Sequence, residues 1–87
     1  MNLSVNDHNV LGSAWIQPPG DGPPPASLLI VLTDRYGVQL HDRDGIAVTP
    51  RSRRLDRRHS IVCDDDVSDA TVVALTASGY ANVIRRG

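Results

Sequence analysis

The sequence predicts a small all-β domain, a β-sandwich or a barrel, with an extended Pro-rich N-terminal arm. Short apolar segments alternate with turn residues at intervals of roughly eight to ten residues, which suits both architectures. The chain contains no Phe, one Trp and two Tyr, so its core must be aliphatic and thin. Neither Lys nor Glu occurs, and because both residues favour exposed helices, their absence disfavours helices on the surface.

The composition divides the chain into an arm with a linker, residues 1–27, and a small β domain, residues 28–87. Residues 10–16 can form a short strand, in which Gly12 marks a bulge or a bend. Residues 17–27 hold five of the six prolines, so they predict a stiff polyproline II tether rather than a packed element.

The centre of the chain predicts three strands in a β-meander. The first, residues 28–32, is apolar without alternation and is expected in mid-sheet. The pattern Asp-Arg-x-Gly follows twice, beginning at Asp34 and at Asp42, and in each copy Asp opens a turn while Gly supplies the positive φ that closes it. Residues 38–40 and 46–48 alternate apolar and polar side chains, so they are predicted as the second and third strands.

The segment IVLTDRYGV, residues 30–38, resembles the hairpin of bacterial and phage immunoglobulin-like domains, in which a strand ends in T-D-x-x-G and a second strand follows. The resemblance is confined to this hairpin. It implies a β-sandwich that is used for adhesion or as an accessory on a larger assembly.

Two charged loops flank a short predicted strand at residues 60–63. Arginine guanidinium groups fork onto the two oxygens of a carboxylate or phosphate, so the preceding Arg-rich loop can bind an acidic surface. Because the loops leave opposite ends of one strand, they make the molecule a dipole and favour head-to-tail contacts between copies. The candidate partner-binding residues are Trp15, Arg51, Arg53, Arg54, Arg57, Arg58, Asp64, Asp65 and Asp66.

Trp15, the largest apolar side chain, has two interpretations. A buried Trp would dominate a thin core, and this is the interpretation we favour because Trp is highly buried on average. An exposed Trp would instead anchor an interface with a partner.

The sequence predicts no catalytic, metal or cofactor site. Cys63 is the only cysteine, so no internal disulfide is possible, and it is expected to pack as a small hydrophobe. Residues 64–69 contain four aspartates, but their spacing differs from that of a calcium-binding loop, so a solvated acidic turn is expected.

The last predicted elements are strands at residues 70–76 and 80–84, separated by a tight turn. A short helix that begins after Ser68 and ends at Gly79 is the competing prediction. Threonine and valine are frequent in the first of these segments, and their β-branched side chains favour the strand.

These patterns predict a non-enzymatic structural protein, most concretely a phage virion accessory such as a capsid decoration, cement or head–tail component. Its partners would be copies of itself or a larger assembly. The alternative is a small inhibitory or binding protein that acts on a host complex through the Arg-rich or Asp-rich loop, and nucleic-acid binding through the Arg-rich loop ranks third. The net charge of −1 gives no general attraction to nucleic acid or membranes, and the absence of a secretion signal or long apolar run predicts a virion or host cytoplasm.

Overall fold

A computed structural model describes residues 9–20, 28–55 and 58–86 of the chain. Its elements are β1 (Asn9–Gln17), β2 (Leu28–Asp34), β3 (Gly37–Asp42), β4 (Ser60–Cys63), α1 (Asp69–Ala77) and β5 (Val83–Arg85). The described strands form one five-stranded sheet in the order β3-β2-β1-β4-β5. Neighbouring strands are antiparallel except β4 and β5, which are parallel and are connected through α1. A β-rich domain is therefore confirmed, whereas the finer assignment to a sandwich or a barrel is not confirmed.

β1 occupies the centre of the sheet, where it pairs with β2 on one side and β4 on the other. The sequence placed these residues in the arm, but their pairing puts them inside the domain. The register of β1 shifts between Val10 and Gly12, which confirms the bulge predicted at Gly12. The remainder of the predicted arm and tether, residues 1–8 and 21–27, lies outside the described residues.

The two Asp-x-x-Gly turns are confirmed, and so is the mid-sheet position of β2 between β1 and β3. Oδ1 of Asp34 accepts a hydrogen bond from the Tyr36 backbone N–H at 2.7 Å. Oδ1 of Asp42 likewise accepts from the backbone N–H of Asp44 at 2.9 Å. The glycines that close these turns have positive φ, 117° at residue 37 and 81° at residue 45. Side chains bonded to nearby backbone thus set both turns locally.

The third strand predicted at residues 46–48 is wrong, because this segment makes only an isolated bridge between His41 and Ala47. The reason lies in Asp42, whose Oδ1 also accepts from the Ile46 backbone N–H at 2.9 Å and so removes a donor that a strand pair would use. Val48 is buried as expected, but Ile46 is 64% exposed rather than buried.

The strand predicted at residues 70–76 is also wrong, and the competing helix is confirmed as α1. Ser68 caps the helix, since its Oγ accepts from the Thr71 backbone N–H at 3.2 Å. Gly79 follows the last turn with a φ of 106°. The parallel pairing of β4 with β5 needs a crossover, and this requirement overrides the β propensity of the segment. No helix of the described residues is long and apolar enough to cross a membrane.

The hydrophobic core lies between α1 and one face of the sheet. α1 contacts β3 at one edge of the sheet and β5 at the other, so the sheet curls around the helix. Trp15 does not belong to this core, so its interpretation as a core residue is wrong. Cys63 is a free, fully buried cysteine that packs as a small hydrophobe, as predicted. The buried cluster comprises Ala14, Ile16, Leu29, Val31, Leu40, Val48, Ile61, Cys63, Val67, Leu75 and Tyr80.

Gly12→Ala should lower the free energy of unfolding by about 2–4 kcal/mol, from backbone strain plus overpacking. Gly12 has a φ of 149°, and an added Cβ would lie 2.6 Å from Cγ2 of Val67 and 2.7 Å from Oδ1 of Asp66. Gly37→Ala is the matched control, because its φ of 117° is also positive but no atom lies within 4 Å of the added Cβ. Urea unfolding of both variants measures the difference, and equal losses would contradict the close packing of β1 against Val67.

Candidate partner-binding surfaces

An apolar stripe crosses the sheet on the face opposite the core. Trp15 on β1 pairs with Leu28 on β2 and with Val62 on β4, and Val62 in turn pairs with Ile84 on β5. Directly opposed residues of neighbouring strands share a face, so these four side chains form one continuous row across four strands. We call Leu28, Trp15, Val62 and Ile84 the apolar stripe. Leu28 is 42% exposed and Ile84 is 48% exposed, so both ends of the stripe face solvent, whereas Val62 between them is only 5% exposed.

Further apolar side chains extend the stripe on one side. Ile30 and Leu32 lie on the same face as Leu28, because alternate residues of a strand share a face. Val10 pairs with Leu32 and is exposed. The edge strand β3 contributes polar residues to this face, where the Gln39 amide Nε2 donates to Asp34 Oδ2 at 2.7 Å. The exposed face is thus apolar at its centre and polar along the β3 edge.

The Arg86 guanidinium lies over the Trp15 ring, with its carbon 5.5 Å from the ring centroid. Its Nη1 is also 3.8 Å from Oδ1 of Asp64. Such a cation–π contact is favourable and covers part of an aromatic ring without removing it from the surface. Trp15 is consequently half-buried, in the position that an interface anchor would occupy.

The Asp-rich loop after β4 is held by residues of its own chain. The Ser13 backbone N–H donates to Oδ1 of Asp66 at 3.3 Å, and the Asp64 backbone N–H donates to the Ser13 carbonyl at 2.9 Å. Arg85 pairs with Asp69 at 2.9 Å and also donates to the Val67 carbonyl. Of the carboxylates that the sequence assigned to a partner, these contacts engage that of Asp66, whereas Asp65 is exposed. Sequence reasoning missed Arg85 and Arg86, because only the parallel pairing of β5 with β4 brings them beside this loop.

The described arginines of the loop before β4 are exposed to solvent. Arg54 pairs with Asp42, Nη1 to Oδ2, at 3.0 Å. Hydrogen bonds from the Ile46 and Asp44 backbone N–H groups, together with Arg54, hold the pKa of Asp42 below its usual value, although desolvation acts against them. Arg51 and Arg53 are exposed, and neither makes an ion pair with the described residues. Arg58 is exposed as well, whereas the predicted site residue Arg57 lies outside the described residues.

A half-open groove of about 390 Å³ separates the Arg-rich loop from the turn that follows α1. Tyr80 forms part of its floor, and its hydroxyl donates to the Val48 carbonyl, which fixes the ring in place. We call this cavity the Arg-loop groove. It is lined by Pro50, Leu55, His59, Ile61, Gly79, Tyr80 and Ala81.

The described residues offer little for catalysis. Burial raises the pKa of the Cys63 thiol, although the charge of Arg85 acts in the opposite direction. A fully buried thiol of raised pKa is a poor nucleophile, because the thiolate is the reactive form. Within residues 9–20, 28–55 and 58–86, no group of three His, Cys or Asp side chains could hold a metal ion. The absence of enzymatic activity nevertheless stays a prediction.

Neither a protein-family model, a curated protein nor a solved structure matches this chain. The resemblance of residues 30–38 to immunoglobulin-like hairpins therefore stays a prediction.

Tyr80→Phe should lower the free energy of unfolding by about 1–3 kcal/mol, because the Val48 carbonyl loses its buried donor. Burial also raises the pKa of the Tyr80 hydroxyl above its ordinary value of 10.0. The folded state therefore keeps the proton that the unfolded state loses, so wild-type stability should fall as pH rises above about 10.

The measurement is urea unfolding of both proteins at neutral pH and at pH values around and above 10. At alkaline pH the free energy of unfolding should fall less in Tyr80→Phe than in the wild type, because the contribution of the Tyr80 hydroxyl is absent. Cys63→Ala serves as the control, because the raised pKa of this thiol adds its own alkaline loss. An alkaline loss of the same size in Tyr80→Phe and wild type would contradict the burial of the hydroxyl.

Proposed function

We propose that this protein is a non-enzymatic assembly protein that binds other protein subunits, including copies of itself, through the apolar stripe. The carrying observation is the row of cross-strand neighbours Leu28, Trp15, Val62 and Ile84 on the sheet face opposite the core. An antiparallel sheet with one solvated face normally carries polar residues there. Exposed apolar side chains on such a face, here Leu28 and Ile84 with the partly exposed Trp15, instead favour an interaction surface.

The composition of the stripe also favours protein binding. Trp and Arg are enriched among residues that dominate interface energies, and here Arg86 stacks on Trp15 near the middle of the row. Polar residues along the β3 edge, Gln39 of β3 and Asp34 at the end of β2, border the apolar centre, as a polar rim borders the centre of an interface. Burial of the exposed stripe would contribute about 25 cal/mol per Å² of apolar surface.

A second copy of the chain is a suitable partner for this face. Two like faces that meet about a twofold axis bury the same residues on both sides. The face also carries a nearby pair of opposite charges, Asp64 and Arg86, with partly exposed side chains. In a twofold contact, the charge of one copy can face the opposite charge of the other. Burial of the apolar stripe and pairing of these charges therefore both favour a twofold dimer.

The narrower proposal is a phage virion accessory, a capsid decoration or cement protein or a head–tail component. It rests on analogy with the architecture of such proteins, a small β domain with an extended N-terminal arm, and a sandwich architecture belongs to the same proposal. The alternative is a small binding or inhibitory protein that acts on a host complex through its Arg-rich loop. Self-association separates the two, because the alternative needs only a foreign partner.

Ile84→Asp and Leu28→Asp should each weaken self-association by at least about tenfold, because each buries an unpaired carboxylate in an apolar contact. Ile46→Asp is the matched control, since Ile46 is 64% exposed but lies in the β3–β4 connection, outside the stripe. Light scattering after size exclusion measures the mass over a range of concentrations. Trp15 is the only Trp, so its fluorescence should shift to longer wavelength on dilution.

Self-association measured at high salt distinguishes contact through the apolar stripe from contact through the charged loops. An apolar contact should persist at about 1 M salt, whereas exposed ion pairs between loops would be screened. A wild-type protein that stays monomeric up to about 0.5 mM would refute self-association through the stripe. An equal effect of Ile46→Asp would show that the stripe is not the contact.

A further inference from the structure

We infer that the Arg-loop groove binds an acidic peptide segment of a partner protein, with an apolar side chain in the groove and flanking carboxylates on the arginines. This site goes beyond the proposed function, because it is a second surface with a different chemistry. Ile61 contributes to the groove from the core face of β4, whereas its neighbour Val62 belongs to the apolar stripe on the other face. The two surfaces can thus be occupied independently.

The shape and lining of the groove fit one apolar side chain. Its volume of about 390 Å³ lies within the range of cavities that hold small ligands. Pro50, Leu55, Gly79 and Ala81 contribute to the lining, and Pro50 lies beside Gly79, where an added Cβ would be 3.5 Å from Pro50 Cγ. The lining is mostly apolar, and an aliphatic or aromatic side chain would displace water from it with a gain in free energy.

Hydrogen bonds within the Arg-rich loop hold residues 49–55 in a defined conformation. The Ser52 backbone N–H donates to the Thr49 carbonyl at 3.0 Å, and Ser52 Oγ accepts from the Thr49 backbone N–H at 2.9 Å. The Leu55 backbone N–H donates to the Ser52 carbonyl at 3.0 Å. Two successive turns therefore fix residues 49–55, and a preorganised surface loses less conformational entropy on binding.

The charge around the groove selects an acidic partner. Residues 50–59 contain five arginines and one aspartate. Arg51 and Arg53 are exposed and make no ion pair with residues of the described ranges. A carboxylate is bound bidentately by a guanidinium, so acidic residues on either side of an apolar anchor would complete the site.

A second copy of this chain does not supply such a segment from its Asp-rich loop. Oδ1 of Asp66 accepts from Ser13, and Asp64 lies beside Arg86. Val67, the apolar residue of that loop, is fully buried in the core. Moving this loop into a neighbour's groove would open the core of its own domain. The Asp-rich loop of a second copy is therefore an unsuitable source, and we assign the acidic segment to a different protein.

Nucleic acid fits the groove less well than a peptide. Stacking of bases requires accessible aromatic faces. The aromatic rings in the described lining are Tyr80, which is buried with its hydroxyl bound to Val48, and the partly buried His59. The other lining residues are mostly aliphatic and match an apolar side chain.

The test measures fluorescence anisotropy with a labelled peptide of about 12 residues, in which two leucines are flanked by aspartates. Two control peptides replace the aspartates by asparagines or the leucines by serines. We expect the parent peptide to bind the wild-type protein, and both controls to bind at least about tenfold more weakly. Binding should also weaken between about 50 and about 300 mM salt, because exposed charge pairs are screened.

Two variants locate the site. Arg51→Ala/Arg53→Ala should weaken binding by about tenfold, from the loss of two exposed charge contacts. The matched control, Arg35→Ala/Arg43→Ala, removes the same charge from exposed turns outside the groove lining and should change binding less than twofold. Ala81→Trp fills the groove from an exposed position and should abolish binding without loss of stability.

Three results would overturn the proposal. The first is no binding of the parent peptide at about 1 mM. The second is wild-type affinity in Ala81→Trp, which would place any peptide binding outside the groove. The third is a single-stranded oligothymidine of equal charge that binds more tightly than the peptide and loses this binding in Arg51→Ala/Arg53→Ala. This result would show that the loop binds nucleic acid. Self-association through the apolar stripe is measured separately, so neither result decides the other.

Discussion

The central position of β1 is the constraint on which the rest of the structure depends. This strand connects the β2–β3 hairpin to the β4–α1–β5 unit, because it pairs with β2 on one side and β4 on the other. Its alternate residues have separate roles. Ala14 and Ile16 belong to the core, Trp15 lies on the opposite face, and the Ser13 backbone holds the loop after β4. Gly12 lets Val67 approach the strand closely, since a Cβ would collide with it.

Features set by neighbouring residues could be predicted from the sequence. The turns at Asp34 and Asp42 form through side chain–backbone bonds within a few residues, so the pattern Asp-x-x-Gly was sufficient to find them. The strand at residues 60–63 was also predicted, from a short apolar segment between charged loops. The bulge at Gly12 belongs to the same class, because a glycine inside a strand indicates a bend.

Features set by distant pairing could not be predicted in this way. The segment at residues 70–76 is rich in β-branched residues, yet it forms α1, because β4 and β5 are parallel and need a crossover. Trp15 was assigned to the core from its size, but the register of β1 places it on the other face. The strand predicted at residues 46–48 failed for a local reason, the capture of the Ile46 N–H by Asp42.

For the charged residues too, the position along the chain could be predicted, whereas contacts that depend on distant strand pairing could not. The sequence placed the Arg-rich and Asp-rich loops at opposite ends of β4, and the structure has them there. It could not show that Arg85 and Arg86 lie beside the Asp-rich loop, since this depends on the register of β5 with β4. Ion pairs within the chain therefore hold several carboxylates, whereas Arg51 and Arg53 have none among the described residues.

The small size of the chain explains why a helix packs on only one face of the sheet. A single short helix can cover one face of a five-stranded sheet, and here α1 covers the face that carries the core. A chain of this size has only a small core, so its stability is expected to be marginal. A partner that binds only the folded state adds stability by mass action, about 2.7 kcal/mol at 100 times the dissociation constant. Occupation of the apolar stripe would therefore cover its exposed ends, Leu28 and Ile84, and assembly would be coupled to the stability of the fold.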